Sequence, residues 1–336
     1  EGLSNLKDIN FNELEFEIYD TVLIRQSSSS SIFLINTTEG DFIVRKLAER
    51  NKTNNILRKI YNLLSSTTTS FFNEVYIYRK INNMGFQWFK FPSLKKTNQK
   101  NFIVIDFIPN NGKVYTENID KNKLIRALFE FQSSDIFQNK FNFSVTYWLV
   151  RLLRNTSFEI FRHSFGGIRK KYGMKLSIRC TYLLISSKLK LTNIYSLNMH
   201  KDLQYKKDGT LNNIIINDKN EYFFIDFEST TLEKSWILID IVDICWSVDS
   251  LVPDVKLLSI YLNMLRKNNI IKKKDIKSQI RIALMRRSIS IIESRGKTIN
   301  SVDKERWRNF LQKIILSNQE YNNWYEYNIL SKISIN

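Results

Sequence analysis

Cysteine, histidine, glycine and proline are all scarce in this chain. The 336 residues hold two Cys, two His, nine Gly and three Pro. Cys180 and Cys245 are far apart and form no metal-type spacing, so neither a disulfide framework nor a thiolate zinc site is indicated, and a reducing compartment fits. With only His163 and His200, histidine-based zinc sites have too few ligands. Few forced breaks are expected where Gly and Pro are this rare. No run of about 18 apolar residues occurs, so no membrane span is indicated. No leader pattern is visible either, and a cytoplasmic location is the expectation, with the inner face of the membrane as one option.

What is abundant is positive charge. Fifty-one Lys and Arg face 33 Asp and Glu, a formal net charge of +18. The excess is uneven: Val255 to Ile315 carries 16 basic against 4 acidic residues. Such a balance favours anionic partners: nucleotides, acidic glycans, an anionic membrane surface contacted peripherally, or nucleic acid. No familiar nucleic-acid motif accompanies it, so nucleic acid is the least supported of these. Much of the basic stretch also reads as a solvated helical face.

The hydrophobic fraction of 43% suffices for two lobes with substantial cores. Glu17 to Arg25 and Ile32 to Asn36 read as strands, separated by a serine run at Ser27 to Ser31. Thr37 to Gly40 reads as a turn and Asp41 to Leu47 as a third strand. Helical periodicity covers about Asn54 to Leu64, and again Ser70 to Asn82, where Phe71, Val75, Tyr78 and Ile81 share one face. Phe102 to Ile108 is an apolar strand ended by Pro109-Asn110-Asn111-Gly112. From Asp120 onward helical patterns dominate, broken by one hairpin with strands Asn213 to Ile216 and Tyr222 to Asp226. The expectation is an α+β chain with a boundary near Pro109: 1–109 as a small sheet lobe, 110–336 as a larger helical lobe.

The segment from Met199 to Glu228 carries the chemistry. Asp202 precedes a polar loop, Asn213 opens a strand, and the chain turns at Asp218-Lys219 and returns to Asp226. With paired numbers summing to about 437, Asn213 stands opposite Phe224 and Asp226 lies on the same face. A one-residue slip substitutes Asn212 for Asn213, and that alternative stays open. Two hard oxygen ligands side by side suit Mg²⁺, and a third carboxylate nearby can orient or deprotonate a hydroxyl.

These residues resemble the catalytic set of the protein-kinase-like superfamily. His200-Lys201-Asp202-Leu203, Asn213-Ile214-Ile215 and Ile225-Asp226-Phe227-Glu228 are similar to its catalytic loop and metal-binding hairpin end. The I-D-F-E form looks like the small-molecule branch: choline kinases, aminoglycoside phosphotransferases, and lipopolysaccharide or capsule sugar kinases. Protein kinases use D-F-G instead. The spacing departs from the pattern, with Asp202 and Asn213 eleven residues apart rather than five.

The resemblance implies a bilobal kinase-like fold that binds ATP and Mg²⁺ and moves the γ-phosphate to a hydroxyl. Asp202 is then the catalytic residue and Asn213 and Asp226 hold the metal. Lys46, in Phe42-Ile43-Val44-Arg45-Lys46, contacts the phosphates and is held by Glu74, with Arg45 as its rival. Ser28, Ser29 and Ser30 stand where a phosphate-covering loop is expected. Asp106 to Pro109, with Asp106 and Ile108 as contacts, resembles the adenine-binding hinge. His200 and either Asp240 or Asp243 support the catalytic loop. The basic helical part suits an anionic acceptor, a small molecule or a glycan such as a lipopolysaccharide sugar. A protein kinase or an inactive kinase-fold binding protein are the alternatives.

Overall fold

The computed structural model describes residues 16–26, 30–47, 67–97, 102–109, 120–134, 167–191, 213–227, 237–246, 250–268, 273–293 and 301–334, with 157, 160, 205–206 and 230–231 besides. Contacts divide the chain into two compact units. The first runs to Asn118 apart from Leu63–Ser65 and takes back Asn212–Thr230; the second holds the remainder.

The first unit is built on a five-stranded antiparallel sheet. Its strands are β1 (Ile18–Gln26), β2 (Ser30–Thr37), β3 (Gly40–Leu47), β4 (Leu94–Thr97) and β5 (Phe102–Asp106), in the order β1-β2-β3-β5-β4. Thr38-Glu39 makes the β2–β3 turn and Gly40 follows at φ +126, a conformation that favours glycine. Alternation does the rest. Phe33, Ile35, Phe42, Val44, Phe102 and Val104 come from alternate positions of three strands and make one buried cluster. Phe16, Ile18 and Leu23 pack against it. Burying such side chains contributes about 1.5–3 kcal/mol each.

Helix α1 (Thr67–Ile81) buries Val75, Tyr78 and Ile81, three of the four positions that the periodicity assigns to its inner face. The helix expected at about Asn54 to Leu64 lies outside the described residues. The hairpin strands are β6 (Ile214–Ile216) and β7 (Tyr222–Phe224). The sequence reading places this hairpin with the C-terminal part, but it groups with the sheet. The reason is local. The Lys90 amide donates to the Tyr222 carbonyl at 2.6 Å, and the Phe224 amide donates to the Lys90 carbonyl at 2.9 Å. Phe89 stacks on Phe224, with centroids 4.7 Å apart.

The second unit is helical: α2 (Lys121–Ser133), α3 (Gly167–Tyr172), α4 (Met174–Leu191), α5 (Ile237–Cys245), α6 (Val255–Lys267), α7 (Lys273–Glu293), α8 (Ser301–Leu316) and α9 (Asn318–Tyr325). Asp120 and Asp254 cap α2 and α6 by accepting first-turn amides. A polar network crosses its core. The Gln132 amide on α2 donates to Asp240 Oδ2 on α5 at 3.0 Å, and the Tyr261 hydroxyl on α6 donates to Gln132 Oε1. Asp240 and Gln132 have no exposed surface. Burial first, and then the Asp240 carboxylate, hold the Tyr261 hydroxyl well above its usual pKa. Tyr261→Phe removes the hydroxyl that donates to Gln132 in this buried network, and a loss of about 1–3 kcal/mol in denaturant unfolding is expected. Asp243 is placed differently: its carboxylate meets Arg287 at 3.3 Å, and Arg287 also donates to the Trp246 carbonyl.

Candidate active site

Asp226 sits two residues past Phe224, the last ladder position of the hairpin, and next to Ile225, whose amide donates to the Asn213 carbonyl at 3.0 Å. Its φ is +60, a conformation a non-glycine residue rarely takes. Strain of this kind costs about 1–3 kcal/mol and persists where surrounding contacts enforce it. The contacts are visible. Phe227 is fully buried and meets the Tyr78 ring edge-on at 5.1 Å. The Tyr78 hydroxyl is buried beside the Asp226 backbone, outside full hydrogen-bonding geometry. Burial, then the Glu74 and Asp226 carboxylates, push that hydroxyl well above its usual pKa, with Arg45 opposing.

The hairpin register corrects the expected one. Ile214 stands opposite Phe224, Ile215 opposite Phe223 and Ile216 opposite Tyr222. Paired numbers therefore sum to 438, and Asn213 faces Ile225 rather than Phe224. The turn explains the extra residue. The Asn217 side-chain carbonyl accepts from the Lys219 and Glu221 amides, and Asn220 adopts φ +56, so the turn centres on Lys219. Continued regularly, the ladder would set Asn212, which lies outside the described residues, opposite Asp226. The left-handed backbone at Asp226 breaks that regularity, so pleat alone no longer decides between Asn212 and Asn213. Either pairing would offer a side-chain amide beside a carboxylate, hard oxygens of the kind that fit Mg²⁺.

A second correction concerns the cation of β3. Glu74, on α1, is 2% exposed and pairs with Arg45, not Lys46: Arg45 Nη1 stands 2.5 Å from Glu74 Oε2. The same guanidinium nitrogen lies 3.5 Å from Asp226 Oδ1. The two-residue period of β3 is the cause. Lys46 shares a face with Phe42 and Val44, which belong to the cluster under β1 and β2, and pairs in the ladder with Ser31 and Phe102. Arg45 projects to the opposite face, where α1 brings Glu74. The structure thus gathers Arg45, Glu74 and Asp226, and leaves Lys46 on the other side of the sheet.

The face carrying Arg45 also carries a row of ladder neighbours, Val22, Leu34, Ile43 and Ile105. Val22 is 48% exposed. At the end of β5, the Asp106 amide donates to the Ser93 carbonyl and the Phe107 amide to the Asp41 carbonyl. Asp106 spends its carboxylate locally, accepting from the Ser93 amide and meeting Lys95 at 3.2 Å. Among the described residues no backbone acceptor is found for the Ile108 amide. Ser30 is not in a loop: it begins β2, opposite Leu47, and is buried. Sheet pairing claims its backbone, which corrects its placement in a phosphate-covering loop. Ser28, Ser29, His200 and Asp202 lie outside the described residues. Sequence reasoning missed the role of Tyr78 against the Asp226 backbone; its spacing of four from Glu74 on one helix was the available signal.

No family model matches the chain, and no curated protein matches it in sequence. Solved structures do share its architecture. Aminoglycoside phosphotransferase APH(2'')-Ib, bound to ADP, has a TM-score of 0.52 at 13% identity, covering 94% of this chain and 99% of its own. Aminoglycoside phosphotransferase APH(4)-Ia has a TM-score of 0.53 at 10% identity, covering 93% and 98%. A thermostable mutant of the latter, in a ternary complex with AMP-PNP and hygromycin B, has a TM-score of 0.53 at 11% identity, covering 91% and 96%. The chain therefore has the bilobal kinase-like fold of the aminoglycoside phosphotransferases, of the α+β class expected from its sequence.

Proposed function

We propose that the protein is an ATP-dependent phosphotransferase acting on a hydroxyl of a small molecule or glycan. The observation that carries this reading is the convergence of Arg45, Glu74 and Asp226 from a strand, a helix and a hairpin end. An ordinary core gains little by gathering a guanidinium and two carboxylates around a strained residue. A phosphoryl-transfer site needs such a group, because its catalysis is positioning plus charge neutralisation.

In this reading Arg45 takes the place assigned to Lys46 in the sequence and binds the α/β-phosphates. Glu74 fixes the guanidinium. Asp226, with Asn213 or Asn212, would hold Mg²⁺, which would supply positive charge to offset that of the phosphates. Asp202 orients the acceptor hydroxyl and takes its proton. The row from Val22 to Ile105 supplies an apolar seat for adenine, and the Ile108 amide and Asp106 carbonyl supply its hinge bonds. Asp240 and His200 brace the catalytic loop. The positive balance of the chain favours an anionic acceptor, such as a phosphorylated or acidic sugar, over a cationic one.

The test is a phosphate-release and acceptor-transfer assay with ATP and Mg²⁺, using acidic sugars and glycolipids beside neutral and cationic ones. Transfer to at least one hydroxyl acceptor, dependent on both ATP and Mg²⁺, is the expected result. Nucleotide stabilisation without turnover on any acceptor would favour an inactive binding protein.

A further inference from the structure

We propose that the outward face of α4, with the basic turn before it, docks the protein on an anionic lipid surface. This inference is independent of the nucleotide site. Helix α4 satisfies its folding demand on one side, where Leu176, Cys180 and Leu184 are buried. On the other side Met174, Ile178 and Tyr182 recur at intervals of four and are 47%, 62% and 59% exposed. With Ile160 and Ile185 they line a shallow apolar groove. A surface helix normally places polar residues there. A contiguous exposed apolar stripe marks a surface that meets another apolar phase.

Charge decides which phase. From Ile160 to Lys201 the chain has 42 residues without a single Asp or Glu, and nine Lys or Arg. Arg169, Lys170 and Lys175 are exposed beside the stripe. From α8, the Arg308 guanidinium lies 5.4 Å above the Tyr172 ring and adds a cation at the same end. Arg179 is spent internally on the Ile315 carbonyl and the Asn318 side chain, and lies 5.6 Å from the Tyr182 ring centroid. A protein partner would offer both signs of charge, and an acid-free stretch gains nothing specific from that. A negative surface complements the exposed cations beside the stripe. Apolar side chains inserting beside cations that contact headgroups is the two-part arrangement that reversible interfacial binding needs.

The test is sedimentation of the full chain with vesicles of pure phosphatidylcholine and of phosphatidylcholine with an equal share of phosphatidylglycerol. Binding to the second and not the first is expected, weakening as salt rises. Ile178→Ser with Tyr182→Ser should lower partitioning by about tenfold or more, and Lys170→Gln with Lys175→Gln by a comparable factor. The lysine pair is exposed, so it tests the surface even if the apolar pair impairs folding; thermal melting separates these cases. No binding to anionic vesicles overturns the proposal, as does binding that both pairs leave unchanged. A concentration-dependent dimer abolished by the Ile178 and Tyr182 changes, without lipid binding, also overturns it and assigns the face to a second copy.

Discussion

Asp226→Asn is expected to abolish stabilisation by ATP with Mg²⁺ and to cut phosphoryl transfer by at least about 10²–10³-fold. At a hundred times its dissociation constant, a ligand adds about 2.7 kcal/mol to the folded state, and this increment should vanish. Asparagine is the informative replacement. It keeps the side-chain shape and tolerates the left-handed backbone at φ +60, yet removes the charge that would hold a metal ion. Without ligand the variant should melt close to wild type. The Asp226 carboxylate is 35% exposed, and Glu74 still neutralises Arg45. A partly exposed ion pair of this kind contributes about 1 kcal/mol or less. Strain supplies an independent check. Asp226→Gly relieves the positive φ, whereas Asp226→Ala does not. The glycine variant should therefore be more stable than the alanine variant by about 1 kcal/mol, with both inactive. Equal stability would show that the contacts of Phe227 with Tyr78 do not enforce the strained backbone. Retained Mg²⁺-dependent nucleotide stabilisation in Asp226→Asn would remove Asp226 from the metal site.

The elements that alternate strongly were legible in the sequence. Phe33 and Ile35, Phe42 and Val44, and Phe102 and Val104 announce three strands, and all six lie in one cluster. β4 was not legible. Leu94-Lys95-Lys96-Thr97 has one apolar residue, and it is a strand only because Leu94 and Thr97 find partners on β5 at Ile105 and Ile103. The order of Asp202, Asn213 and Asp226 was visible in the sequence as a candidate set, but the hairpin register was not. It depends on Asn220 adopting a left-handed conformation, which adds a residue to the turn and slips the ladder by one. The choice between Arg45 and Lys46 was open for a different reason. A strand fixes that two neighbours face opposite sides, and only the arrival of α1 decides which side holds Glu74. The two aspartates of α5 were likewise equivalent as text, and became distinct once Gln132 met Asp240 and Arg287 met Asp243.

That parity makes the β3 cation the second large effect. Arg45→Met should cost about 3–5 kcal/mol, because it leaves the Glu74 carboxylate, 2% exposed, without its cation. Lys46→Met leaves the Arg45–Glu74 pair intact and should cost much less than Arg45→Met. Stability alone would not establish a role toward nucleotide, so a compensated variant is needed. Arg45→Met combined with Glu74→Gln removes both charges together and should recover most of the lost stability, as expected when a buried pair is neutralised rather than broken. If Arg45 binds phosphate, the compensated variant still shows no stabilisation by ATP with Mg²⁺, while Lys46→Met keeps it. Arg45→Lys should be intermediate, because an ammonium group is a point charge and cannot present separate N–H groups to Glu74 and to a phosphate in fixed geometry. Should Lys46→Met lose the nucleotide increment while the compensated variant keeps it, the phosphate contact reverts to Lys46. The Arg45–Glu74 pair would then serve only to seat α1 on the sheet.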